Sequence, residues 1–124
     1  MGIKKRHIMS KQEYAHINTD YIFELADGDP DFVKDIISDV MKTVPAIIVQ
    51  LDDAIISGNM NDINFLAHKL KGTFLFIGNV MLGDILNEIE RGGQSLEEIS
   101  LKMKTIKKEY ALSEAEFQSL LNSI

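Results

Sequence analysis

Ile63-Asn64-Phe65-Leu66-Ala67-His68-Lys69-Leu70-Lys71-Gly72-Thr73-Phe74-Leu75-Phe76-Ile77 is the stretch on which the reading of this chain turns. Ile63, Leu66, Ala67, Leu70, Thr73, Phe74 and Ile77 recur at the spacing that lines one face of an α-helix. That stripe predicts a helix packed on one side against a core, with Thr73 returning its hydroxyl to a backbone carbonyl. A second face carries Asn64, Phe65, His68, Lys71, Gly72, Leu75 and Phe76. His68 therefore sits away from the core stripe, with a cation one turn on and a glycine at i+4. Glycine in mid-helix costs roughly 1 kcal/mol relative to alanine, so its presence calls for a compensating use. Open access to the imidazole supplies one.

Outward from this helix, the same periodicity dominates and no strand pattern is bounded by turns. Thr19 is placed to cap a short helix that runs to about Ala26. Asp29 and Pro30 then suit the N-cap and first position of a long helix. Its apolar stripe runs from Phe32 and Val33 to Ile55, with Gly58 as its stop. Pro45 lies inside that stripe and is expected to kink or break it. Asn59 caps the helix of His68, which Gly78 ends. A shorter helix spans about Val80 to Arg91 before Gly92-Gly93. Ser95 and Glu98 form a capping box for a last helix carrying Ile99, Met103, Ile106, Tyr110, Phe117 and Leu120. Short loops between long amphipathic helices predict an all-α fold: an antiparallel up-down four-helix bundle with a short extra N-terminal helix. The expected division is a flexible tail over 1–17 and the bundle domain over 18–124.

The 124 residues suffice for one domain with its own core. No apolar run approaches the roughly 20 residues that cross a bilayer, and the N-terminus lacks a secretory core. These features lead to the expectation of a soluble, cytoplasmic protein with no membrane role. The absence of cysteine rules out disulfides, thiolate metal sites and a cysteine nucleophile. A net charge of −6 argues against nucleic acid as partner. Lys4-Lys5-Arg6 with Lys11 form a small basic cluster, read as solvated tail. His7 and His16 lack surroundings that would give them a role, and no ligand spacing predicts a metal site.

The chemistry of His68 suits a covalent role. Neutral imidazole is a good nucleophile and can carry a phosphoryl group on nitrogen. Phosphoryl transfer depends chiefly on positioning and on neutralising charge over the equatorial oxygens. Lys71 brings a positive charge, and Gly72 removes the Cβ that would crowd a phosphate or a partner's backbone. Phe65, Leu75 and Phe76, with Asn64 and Lys69, ring the histidine as a docking surface. The residues alone also allow a solvated histidine that happens to neighbour a lysine.

His68-Lys69-Leu70-Lys71-Gly72-Thr73, with Gly78 ten residues after the histidine, resembles the H-x-L-K-G-[S/T] signature of histidine-containing phosphotransfer (HPt) domains. The resemblance extends to Gly28-Asp29-Pro30-Asp31-Phe32, Pro45 and Gly58, and covers roughly residues 18–110. It implies a four-helix bundle in which His68 is phosphorylated, Lys71 contacts the phosphoryl oxygens and Gly72 gives access. It further implies a phosphocarrier without an ATP site or small-molecule substrate. The partners would be response-regulator receiver domains or a hybrid sensor histidine kinase. Mg²⁺ and the catalytic acids would belong to the receiver, so this chain would need no cofactor. Some members carry a glutamine or arginine on the next helix; here it offers Asn87, Glu88, Glu90 and Arg91, and a carboxylate facing phosphate would repel it. A competing expectation is a non-phosphorylated helical adapter that binds receiver or kinase domains through the apolar face. A kinase in its own right is not expected, given the length and the lack of a G-x-x-x-x-G-K loop; a phosphoacceptor domain of the chemotaxis-kinase type, cut from a longer chain, shares the signature.

Overall fold

Five helices follow one another in the computed structural model, which describes residues 14–124. They are α1 (Asp20–Leu25), α2 (Pro30–Ser57), α3 (Met60–Phe76), α4 (Val80–Arg91) and α5 (Leu96–Ser123). Local side chains cap the N-termini of α2 to α5, whereas Thr19, expected to cap α1, makes no side-chain cap bond. Asp29 accepts from the Asp31 amide at 3.0 Å, Asn59 from Asp62 at 3.1 Å and Asn79 from Leu82 at 3.0 Å. Ser95 and Glu98 close a reciprocal capping box at 3.1 and 3.0 Å. Each such cap satisfies a backbone N–H that the helix cannot pair internally.

α2 packs on α3, α3 on α4, α4 on α5 and α5 back on α2, a closed ring of four, while α1 lies against α2. The apolar stripes meet inside it: Ile37, Val44, Leu51, Ile63, Leu70, Phe74, Leu86, Ile106 and Phe117 are wholly buried. Burying each such side chain stabilises the fold by about 1.5–3 kcal/mol.

Two expectations are corrected here. Pro45 does not break α2, which continues through it for 28 residues. Val40, Val44, Ile47 and Ile48 are buried on both sides of the proline, and this packing outweighs the backbone bond it removes. Thr73 does bond back to the Lys69 carbonyl, at 3.3 Å, but it is half-buried at the edge of the core.

Residues 14–17, assigned to the tail, are docked on the bundle. Ile17 is buried. The Ala15 and His16 amides donate to the Glu116 carboxylate at 3.1 and 2.7 Å. The His16 carbonyl accepts from Asn79 Nδ2 at 2.9 Å and from the Ser113 hydroxyl at 2.8 Å. His16, given no role from sequence, also sets Nδ1 2.7 Å from Glu109 Oε2. The segment stays down because its backbone polar groups find partners on α5 and at the α3–α4 turn. His7, Lys4-Lys5-Arg6 and Lys11 lie outside the described residues.

Asn18 donates its amide to the Ile77 carbonyl at 2.9 Å and so presses on Gly78, the bend between α3 and α4. Gly78 has a φ of +76°, and a Cβ there would lie 2.4 Å from Asn18 Cβ and 2.7 Å from its backbone N and O. Gly72, by contrast, has nothing within 4 Å of a Cβ position. Gly78→Ala is therefore expected to destabilise the protein by about 2–4 kcal/mol, from left-handed strain and collision with backbone. Gly72→Ala should stabilise it by up to about 1 kcal/mol. Urea unfolding of the two variants checks both signs.

Candidate functional site

The site is written on one strip of contact between α3 and α4. Gly83, Asn87 and Glu90 recur at i, i+4 and i+7 on α4, a helix face without a large apolar side chain. They meet Leu75, Lys71 and His68 in that order, so contacts that descend α3 ascend α4. At the lower end Gly83 lies under the Leu75 side chain, whose Cδ2 a Cβ there would approach to 2.6 Å.

One turn higher, Lys71 Nζ donates to Asn87 Oδ1 at 3.3 Å and pairs with Glu90 Oε1 at 2.7 Å. The other oxygen of the same carboxylate, Oε2, lies 2.7 Å from His68 Nδ1. Glu90 thus bridges the histidine and the lysine. The Lys71 ammonium, above all, holds the Glu90 carboxyl below its ordinary range; partial burial opposes this, and the His68 ring reinforces it. At neutral pH Glu90 is a carboxylate, and a carboxylate only accepts hydrogen bonds. Nδ1 must therefore carry the proton that Glu90 receives. In the neutral ring this leaves the lone pair on Nε2, the nitrogen not tied to the bundle. The His68 side chain is 68% exposed against 27% for Glu90 and 23% for Lys71. The free nitrogen belongs to the most accessible member of the trio.

Sequence reasoning placed Lys71 and Gly72 beside His68, and the structure brings all three together, with open space at Gly72. It named Asn87, Glu88, Glu90 and Arg91 as what the next helix offers without choosing among them; the structure sets Glu90 on the ring and Asn87 on Lys71. The available signal was the Gly83, Asn87, Glu90 face, whose polar members needed a partner on the preceding helix. The docking residues are not one ring. Leu75 belongs to the α4 side, against Gly83, and Asn64 is half-buried. Phe65 and Lys69 are exposed. Phe76 is half-buried and meets the Tyr21 ring edge-on, with centroids 5.4 Å apart. It lines a groove of about 400 Å³ with Ile36, Asp39, Val40 and Thr43 of α2 and with Gly72 and Thr73 of α3. Sequence did not single out the α2 wall of this groove.

Among the described residues no group of three His, Asp or Glu is placed to hold a metal ion, and no helix is long and apolar enough to cross a membrane. With this geometry in hand, comparison with known families is decisive: the model of the Hpt domain matches residues 35–121. The chain belongs to the Hpt domain family. Hpt domains are histidine phosphocarriers of phosphorelay, two-component signalling, and the helical bundle here is of that kind. No curated protein and no solved structure gave a significant match.

The bridge carries a pH dependence whose sign follows from Glu90. Its folded pKa lies below the ordinary 4.5. The stabilisation it contributes is therefore complete above that value and is lost as pH falls through the lower folded value. The Glu90 carboxyl followed by ¹³C NMR should titrate below 4.5, and Lys71→Ala should move the midpoint upward.

Proposed function

We propose that the chain is a cytoplasmic phosphorelay carrier in an antiparallel up-down bundle, with His68 Nε2 as the atom that receives the phosphoryl group. The observation that carries this reading is the Glu90 contact to Nδ1 at 2.7 Å. It fixes the tautomer and leaves Nε2 free at the most exposed point of the site.

In this reading a receiver presents an aspartyl phosphate. Nε2 attacks phosphorus, the N–P bond forms, the P–O bond to the aspartate breaks, and the receiver regains its carboxylate. The ring then bears a positive charge, with the Nδ1 proton still held on Glu90. The carboxylate stabilises this phospho-imidazolium, as an acidic partner orients and supports a histidine elsewhere in enzymology. Because Nδ1 keeps its proton, the ring leaves as neutral imidazole when a second receiver aspartate attacks. One arrangement thus serves both directions. Lys71 supplies charge neutralisation at the phosphoryl oxygens, with Asn87 as its second anchor. Glu90 lies on the Nδ1 side, away from the nitrogen that takes the phosphate, so the carboxylate need not face it. The divalent ion and the acids that act on aspartyl phosphate belong to the receiver, and this chain needs no cofactor of its own. The groove beside Gly72, with Phe65 and Lys69, is the surface on which a receiver or hybrid kinase docks.

Phosphorylated receiver domains from the source organism, mixed with the protein, should place an acid-labile, base-stable label on His68. His68→Gln should abolish label transfer while receiver binding persists; continued transfer would remove the histidine from the mechanism. An adapter that binds without being labelled is the outcome of the competing reading. Lys71→Ala should slow transfer by about 1.5–3 kcal/mol, roughly 10- to 150-fold, in single-turnover kinetics. A rate within twofold of the native protein would show that Lys71 does not touch the transferring group.

A further inference from the structure

The groove beside the histidine is chemically lopsided. Along α3 its wall runs from Gly72, one turn past His68, to Phe76, a further turn away. Gly58 and Asn59 alone connect α2 to α3, so α3 returns along α2, and Thr43 stands toward Gly72 while Asp39 and Ile36 stand toward Phe76. Ile36, Val40 and Phe76 make the lining apolar, and Asp39 is the one charge among the lining residues. Asp35, exposed one turn before it, adds a second carboxylate at that end. The other end carries more cation than anion: Lys69 and Lys71 stand beside His68, with Lys71 paired to Glu90, and exposed Lys42 stands beside Thr43.

We infer that the groove seats an apolar side chain of the receiver flanked by a lysine or arginine that meets Asp39, and that the opposed charges at its two ends fix which way round the receiver docks. The inference rests on the phosphotransfer reading of His68 and names the chemistry of the partner that reading requires. Apolar burial supplies attraction without direction. Transfer requires direction, because donor oxygen, phosphorus and Nε2 must come into line. A receiver's reacting end is rich in carboxylate and phosphate charge. Docked in the productive sense, it meets Lys69 and Lys71. Docked in reverse, it meets Asp39 and Asp35, and like charges across an interface are strongly unfavourable. Asp39 is exposed, so its contribution lies in encounter and orientation, which salt screens.

The test uses the full chain and the receiver domain that labels His68 fastest in the assay above. Asp39→Lys should lower kcat/KM for the receiver about tenfold at low salt, and the maximal transfer rate with it as reversed complexes form, with both differences fading at high salt. Asp39→Asn should give a smaller shift of the same sign. Labelling of His68 by phosphoramidate, a small donor that needs no docking, should be equal in all three proteins, which shows that fold and nucleophile are intact. Replacing the flanking cation of the receiver by glutamate should restore transfer to the Asp39→Lys protein. A maximal rate, kcat/KM and salt dependence all unchanged by Asp39→Lys, with phosphoramidate labelling normal, would overturn the inference and leave the phosphotransfer reading standing. If the native protein takes label from phosphoramidate and from no receiver, the phosphotransfer reading fails, and this one with it.

Discussion

The site depends on how closely two helices can run. α3 and α4 approach because Gly83 offers no side chain against Leu75, and they turn sharply because Gly78 adopts a left-handed backbone against Asn18. Gly78, held against backbone, fixes the turn from which the register follows, and the register sets the chemistry. A shift of one residue along α4 would turn the Glu90 carboxylate through about 100° about the helix axis, out of reach of His68 and Lys71. A long side chain on one helix can reach across to two on the next only when the spacing is held by something stiffer than the side chains themselves.

The fold was largely legible in the sequence because its signals are local. The caps at Asp29, Asn59 and Ser95, the stops at Gly58 and Gly78, and the apolar stripe from Ile63 to Ile77 each act within a turn or two. His68, Lys71 and Gly72 were legible for the same reason: they share one helix face. Glu90 was legible only as one of four candidates on the next helix, since the choice among them arises from the register of that helix. The groove was hidden in the same way, because Asp39 and Ile36 read as ordinary members of an amphipathic helix until α3 is laid beside them. Pro45 misled because its local cost is plain in the sequence, whereas the packing that outweighs it is distributed over four side chains.

Stability and access conflict at Gly72. Nothing in the surroundings forbids a side chain there, and helix propensity favours one. The glycine is thus a local weakness in an otherwise well-capped helix, and the opening it leaves lies between His68 and the groove. Such a departure from local consistency is expected at functional positions. It differs in kind from Gly78, where both backbone conformation and space demand glycine for the fold itself.

The segment around His16 divides the molecule by the order in which its parts can form. The bridge between His68 and Glu90 joins residues 22 positions apart within one helical hairpin. The bonds from Ala15 and His16 to Glu116 join residues 101 and 100 positions apart, so they exist only once the last helix has arrived. Contacts of such separation form against a larger loop-closure entropy and tend to come late. The reactive strip is thus assembled from near neighbours, while the clasp that steadies its turn closes a loop of about a hundred residues.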